Sequence, residues 1–308
     1  MFSVSKNMFS NMKNMGMAAM IGLSSCTHSP EPAIVPAQKI IKSSKSVPTE
    51  SSTIKLLSML ERGDRHAVTL SNVPKDTRVI KASEISKYIP DGNTGELFYQ
   101  VYVGKADKAI RKAKGIKTDL VTVGQGVAQE EAITLAGGLK ARENDYICAK
   151  SVDSLMNLAI KDKENIIKNG IGASAYKKLK QNEKDAVLSF LYNVQPRILQ
   201  KCSSGKSFFE HLKDGEKGMV QAKFNVKASS DKASVGLAKR NLVQMLIFGN
   251  GKIYANKKAT RTFRNQVEII KTHEKGKEFL NEALKLAEDY GVNKANLEKT
   301  KSKIFSKK

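Results

Sequence analysis

Tryptophan is absent from this 308-residue sequence, aromatic residues make up only 6% of it, and cysteine occurs three times. Three thiols are too few for a disulfide scaffold or a four-thiolate zinc site. The histidines, His28, His66, His211 and His273, lack ligand spacing, so neither a metal nor another cofactor is expected. No apolar run reaches the ~18 residues that a spanning helix needs. Acidic residues are also scarce: 30 Asp+Glu stand against 53 Lys+Arg, a net charge of +23. A 40% hydrophobic fraction excludes wholesale disorder, and the length allows one large domain or two ordinary ones. The positive excess calls for an anionic partner. Nucleic acid is not expected, because basic stripes that bind it are interleaved with aromatics and no such motif is present. Anionic polymers of a cell envelope would be drawn by the same field.

The amino terminus bears on compartment. Lys6 and Lys13 form a short basic region, followed by an apolar run over 15–23 that is too short to span as a mature helix. It ends in Leu23-Ser24-Ser25-Cys26, which resembles the lipobox of bacterial lipoproteins. That resemblance implies a signal peptide over 1–25, lipidation of Cys26, and anchorage to a membrane through the N-terminal lipid. The next stretch, 26–52, contains Pro30, Pro32, Pro36 and Pro48 among Ser and Thr and has the composition of a flexible tether.

Beyond the tether, apolar spacing predicts a first helix from about residue 53, with Ile54, Leu57 and Leu60 recurring at threes. Turn signals fall at 74–76 and 90–93, around a short helix near 81–89. The run 97–103 is expected to be a strand, with 120–123 as its partner in a hairpin whose long tip is lysine-rich. Helical spacing then covers 130–147, 152–168, 173–180, 183–192, 207–213, 218–223 and 237–248. Gly249-Asn250-Gly251 is a turn signal. The last stretch, 257–308, holds 14 Lys+Arg against 7 Asp+Glu and is expected to form two or three exposed helices appended to the core as a basic tail.

Three stretches in order resemble the phage-type lysozymes, the muramidase endolysins. Thr122-Val123-Gly124-Gln125-Gly126 resembles that family's Thr-Ile-Gly-Tyr-Gly strand turn, with Ala128-Gln129-Glu130-Glu131-Ala132 where its next helix begins. Asn182 to Val194, with Ala186, Ser189, Phe190 and Asn193, is similar to a core helix of the family, and Ser207 to Gly215 to the helix after it. Gly236-Leu237-Ala238-Lys239-Arg240-Asn241-Leu242, with Gln244 and Phe248, resembles a third. The resemblance covers roughly 120–250. It implies an α+β, predominantly α fold over 53–256, with a small β-hairpin lobe, a larger helical lobe and a cleft between them, interrupted by an insertion around 64–118. It further implies a peptidoglycan substrate, cut at the β-1,4 bond between N-acetylmuramic acid and N-acetylglucosamine, and a monomer in the cell envelope.

Glycoside cleavage needs a carboxylic acid to protonate the leaving oxygen, and something to direct water or steady the developing cation. By resemblance, Thr122 positions water, and Gly124, Gly126 and Asn193 bind substrate. Two glutamates compete for the acid. Glu61 closes the first helix, where the negative end of the helix dipole favours the protonated carboxyl. Glu96 precedes Leu97-Phe98-Tyr99, similar to the segment that follows the family's acid. The family's aspartate has no matching position, since Asp64, Asp76 and Asp107 are nearby but unaligned. Without it the oxocarbenium-like transition state has less support, so an inactive, wall-binding lysozyme-like lipoprotein stays open as the alternative. Cys148 and Cys202 are left open as a pair or as free thiols.

Overall fold

The computed structural model describes residues 52–61, 67–90, 95–102, 122–123, 127–128, 141–194, 205–226 and 234–305. The expected signal peptide, Cys26 and the tether lie outside them. Within them the fold is α+β and predominantly α.

Helix α1 (Ser52–Glu61) shows why two cores exist. Its apolar residues serve different neighbours: Ile54 and Leu57 enter a cluster beneath a sheet, whereas Leu56 enters the main helical core. The 23-residue helix α2 (Ala149–Ile171) does the same along its length. Val152, Leu155 and Met156 pack under the sheet, and Ile167 and Ile171 pack in the helical core. At 1.5 Å per residue it is about 34 Å long, enough to serve both.

The sheet is antiparallel and is built from β1 (Ala67–Ser71), β2 (Val79–Ile80), β3 (Ile89–Pro90), β4 (Glu96–Gln100) and β7 (Tyr146–Cys148). Their order is β2-β7-β4-β1-β3. Alternation along β4 divides its two faces. Tyr99 joins Val79 and Ile147 over α1 and α2, while Phe98, fully buried, joins Leu70 and Ile80 on the other face. A 3-10 turn, Ala82–Lys87, and Tyr88 cover that second face through Ile85 and Tyr88. Among the described residues, strands β5 (Thr122–Val123) and β6 (Val127–Ala128) pair with each other and not with the larger sheet.

The helical core is formed by α3 (Ala173–Lys178), α4 (Gln181–Asn193), α5 (Phe208–Lys213), α6 (Lys217–Lys223), α7 (Val235–Phe248), α8 (Lys257–Lys271), α9 (Gly276–Tyr290) and α10 (Lys294–Phe305). Helix α7 is buried on every side from Asn241 to Phe248, as a central helix must be. It packs on α4, α8 and α9. Phe190, Phe208, Phe224 and Phe248 form an edge-and-face chain of rings with centroids 5.0–6.2 Å apart. Gly249 ends α7 where a Cβ would stand 1.9 Å from the carbonyl oxygen of Lys252, and Gly251 takes φ 85° to complete the turn. One buried carboxylate ties distant elements together. Asp185 accepts from the Thr53 hydroxyl (2.6 Å), from Gln181 Nε2 (2.8 Å) and from the Tyr290 hydroxyl (2.5 Å). Burial and that acceptor raise the Tyr290 pKa, which keeps its proton in place for the bond.

Four expectations need correction. The strand over 97–103 is present as β4 over 96–100, paired with β1 and β7; of the expected partner 120–123 only Thr122 and Val123 are described, and they pair with Ala128 and Val127. The stretch 64–118, expected as an insertion, supplies four of the five strands described in the sheet, and the hairpin's lysine-rich tip lies outside the described residues. Of the helix expected over 130–147, residues 130–140 lie outside the described residues, and 141–147 form a turn at Asn144 (φ 73°) and strand β7 instead, because Tyr-Ile-Cys suits a pleated surface better than a helix end. Finally, 257–308 is no appendage: Phe263, Val267, Ile270, Leu280, Leu284, Val292, Leu297 and Ile304 belong to the main core. Its surface is basic, but one side of each helix is apolar, and that side is what the periodic spacing recorded.

Candidate active site

The expected site residues lie on elements that meet at the sheet-side cluster. Glu61 is the last residue of α1, four positions after Leu57, which packs in the cluster. Thr122 begins β5, whose next residue, Val123, is 2% exposed and packs in the same cluster as Ile54 and Leu57. Asn193 ends α4, whose preceding residue, Tyr192, packs against that cluster and donates its hydroxyl to Met156 Sδ at 3.5 Å. The side chains of Glu61, Thr122 and Asn193, like Gly124, Gly126, Asp64, Asp107 and Cys202, lie outside the described residues. Leu57 one turn before Glu61, Val123 beside Thr122 and Tyr192 beside Asn193 thus pack in or against the same sheet-side cluster.

Glu96 is placed differently. It opens β4 in register with Leu70, exposed, on the Phe98 side of the sheet. That side is opposite the one that carries α1 and Val123. The thickness of the sheet therefore separates Glu96 from the α1–β5 junction. Asp76 sits exposed in the Pro74–Thr77 turn at φ 70°. Cys148 is a free thiol whose Sγ donates to Ser151 Oγ at 3.1 Å.

The sheet is held at this junction by an aspartate that the sequence reading passed over. Asp145 accepts from the backbone N–H of Ala82 and of Arg142, both at 2.9 Å, and from Lys81 Nζ at 3.2 Å. Its own carbonyl accepts from the Val101 N–H at 2.7 Å, so a single residue joins β4, β7 and the 3-10 turn. Partial burial pushes its carboxyl upward, but the two N–H donors and the Lys81 ammonium outweigh that, and the pKa falls below its ordinary value. The stabilisation is therefore full above the unfolded aspartate range and is lost as pH falls through the lower folded value. Asp145→Ala is expected to cost about 2–3 kcal/mol. Denaturant midpoints measured from pH 6 to pH 2 should fall less steeply in Asp145→Asn than in the wild type; parallel curves would refute the assignment. An Asn-Asp pair between two apolar stretches was the available signal for this turn.

Asp185 escaped notice for a related reason. It stands among Ala186, Val187 and Phe190 on a helix, and only its burial shows that it is a junction and not a surface charge. Among the described residues no group of His, Cys, Asp and Glu could hold a metal ion, and no helix is long and apolar enough to cross a membrane. No protein-family model matches this sequence, and comparison with curated proteins returns no match either.

Proposed function

We propose that this chain is a lipid-anchored peptidoglycan hydrolase of the cell envelope, with Glu61 as general acid and Thr122 positioning water. The observation that carries the proposal is that residues of α1, β5 and the end of α4 pack in or against the sheet-side cluster, with Glu96 on the far side of the sheet.

In this mechanism the Glu61 carboxyl gives its proton to the glycosidic oxygen as the C–O bond breaks. Its position at the negative end of the α1 dipole favours the protonated form beforehand. Water held near Thr122 then adds to the anomeric carbon from the other side and releases its proton to solvent, giving a reducing end, and Glu61 regains a proton from solvent. The +23 charge would concentrate the enzyme on an anionic wall. No cofactor takes part.

A second reading keeps the same fold and substrate without cleavage, a wall-binding lipoprotein, and the missing aspartate favours it. Incubation of the full chain with purified sacculi separates the two. Release of reducing ends supports hydrolysis, whereas pelleting with sacculi without new reducing ends leaves only the binding reading. Neither binding nor release overturns both.

A further inference from the structure

The first half of α8 is cationic without relief. Lys257, Lys258, Arg261 and Arg264 are all exposed, and the first acid in the helix is Glu268. Over 217–267 the sequence contains a single acid, Asp231, which lies outside the described residues. Several cations on other helices have carboxylate partners, as in Lys168–Glu164, Lys239–Glu282 and Lys301–Glu298. No carboxylate among the described residues pairs with any of the four on α8.

This arrangement works against the helix that bears it. Like charges three and four residues apart repel. Lys257 and Lys258 also occupy the first turn, where the positive end of the helix dipole disfavours cations. The helix persists because Asn256 Oδ1 accepts from the N–H of Lys258 and Ala259, and because Ala259, Phe263, Val267 and Ile270 are buried. An anion bound along the row would relieve both penalties.

The row also has a shape. Lys257, Arg261 and Arg264, spaced i, i+4 and i+7, line one surface depression with Asn256, Thr260 and Asn265. The row runs about 10 Å along the axis. A neighbouring depression on α9 has Glu274, Glu278 and Glu282 among its lysines and so neutralises itself.

We infer that the α8 depression binds a linear phosphodiester polymer without bases, a polyol phosphate lying along the cation row. A membrane surface fits less well, because interfacial helices insert apolar side chains. The large exposed hydrophobics among the described residues are Ile89, Leu97 and Phe305, none of them on α8. Nucleic acid fits less well because base-stacking platforms are missing. Phe263 is buried, and Tyr254 is half-buried with Lys252 over its ring. The inference does not depend on hydrolysis.

The test is titration of fluorescently labelled poly(glycerol phosphate) with the full chain. The variant Lys257→Gln/Arg261→Gln/Arg264→Gln is compared with Lys275→Gln/Lys277→Gln/Lys285→Gln, which removes the same charge from the α9 depression. The α8 variant should lose about tenfold or more in affinity and show a shallower salt dependence, and the α9 variant should change by about twofold at most. Without polymer, the α8 variant should melt no lower than the wild type, and with polymer it should lose the rise in Tm; this readout also guards against misfolding. Equal losses in the two variants would reduce the effect to bulk charge and overturn the assignment. So would tighter binding of a single-stranded oligonucleotide with the same number of phosphates. Loss of phosphatidylglycerol vesicle binding in the α8 variant, with polymer binding kept, would do the same.

Discussion

Glu61→Gln is expected to reduce the release of reducing ends from peptidoglycan by about 10²–10⁴-fold, the usual contribution of a positioned general acid. The substitution is nearly isosteric and removes only the transferable proton, so sedimentation with sacculi should be kept. Glu96→Gln is expected to leave the rate within about twofold, because an exposed charge on the far side of the sheet cannot protonate a sugar oxygen held at the α1–β5 junction. Full activity in Glu61→Gln with loss in Glu96→Gln would reverse the assignment. Thr122→Ala should fall between them, because a displaced water slows the reaction without removing the acid.

The second large effect concerns the C-terminal helices. A chain ended after Asn256 is expected to lose the cooperative fold altogether. Eight large apolar side chains between Phe263 and Ile304 are buried in the main core. At about 1.5–3 kcal/mol each, their burial is as large as or larger than the whole net stability of about 5–15 kcal/mol that a domain usually has. The truncated chain would also lose the Tyr290 bond to Asp185. Circular dichroism during heating checks this: a broad, non-cooperative melt is expected, and a sharp transition at the wild-type Tm would restore the appended-tail description.

The helices were legible because their signal is local. Apolar residues at three and four spacing marked α2 to α7 to within a few residues, and Ser207 marked the start of α5 by accepting from the Glu210 N–H. The sheet was not legible, for a physical reason. Strands β2, β3 and β7 have two or three residues each, too short for alternation to stand out, and β7 reaches its neighbour β2 across more than sixty residues. Of the candidate site, the residue types and their order could be read from the motifs. What could not be read was which face of the sheet each glutamate occupies, since that depends on register, and a one-residue slip exchanges the faces.

The Asp185 carboxylate joins Thr53, almost the first described residue, to Tyr290, close to the last. Lys55 repeats the closure by donating to the Asp289 carbonyl across 234 positions. A polypeptide emerging from the ribosome, or passing through a translocation channel, can therefore complete the hydrogen bonding around α1 only after nearly all of it has come through. Until then Ile54, Leu56 and Leu57 can pack on α2 and α4, but the helix lacks the ties that Asp289 and Tyr290 supply.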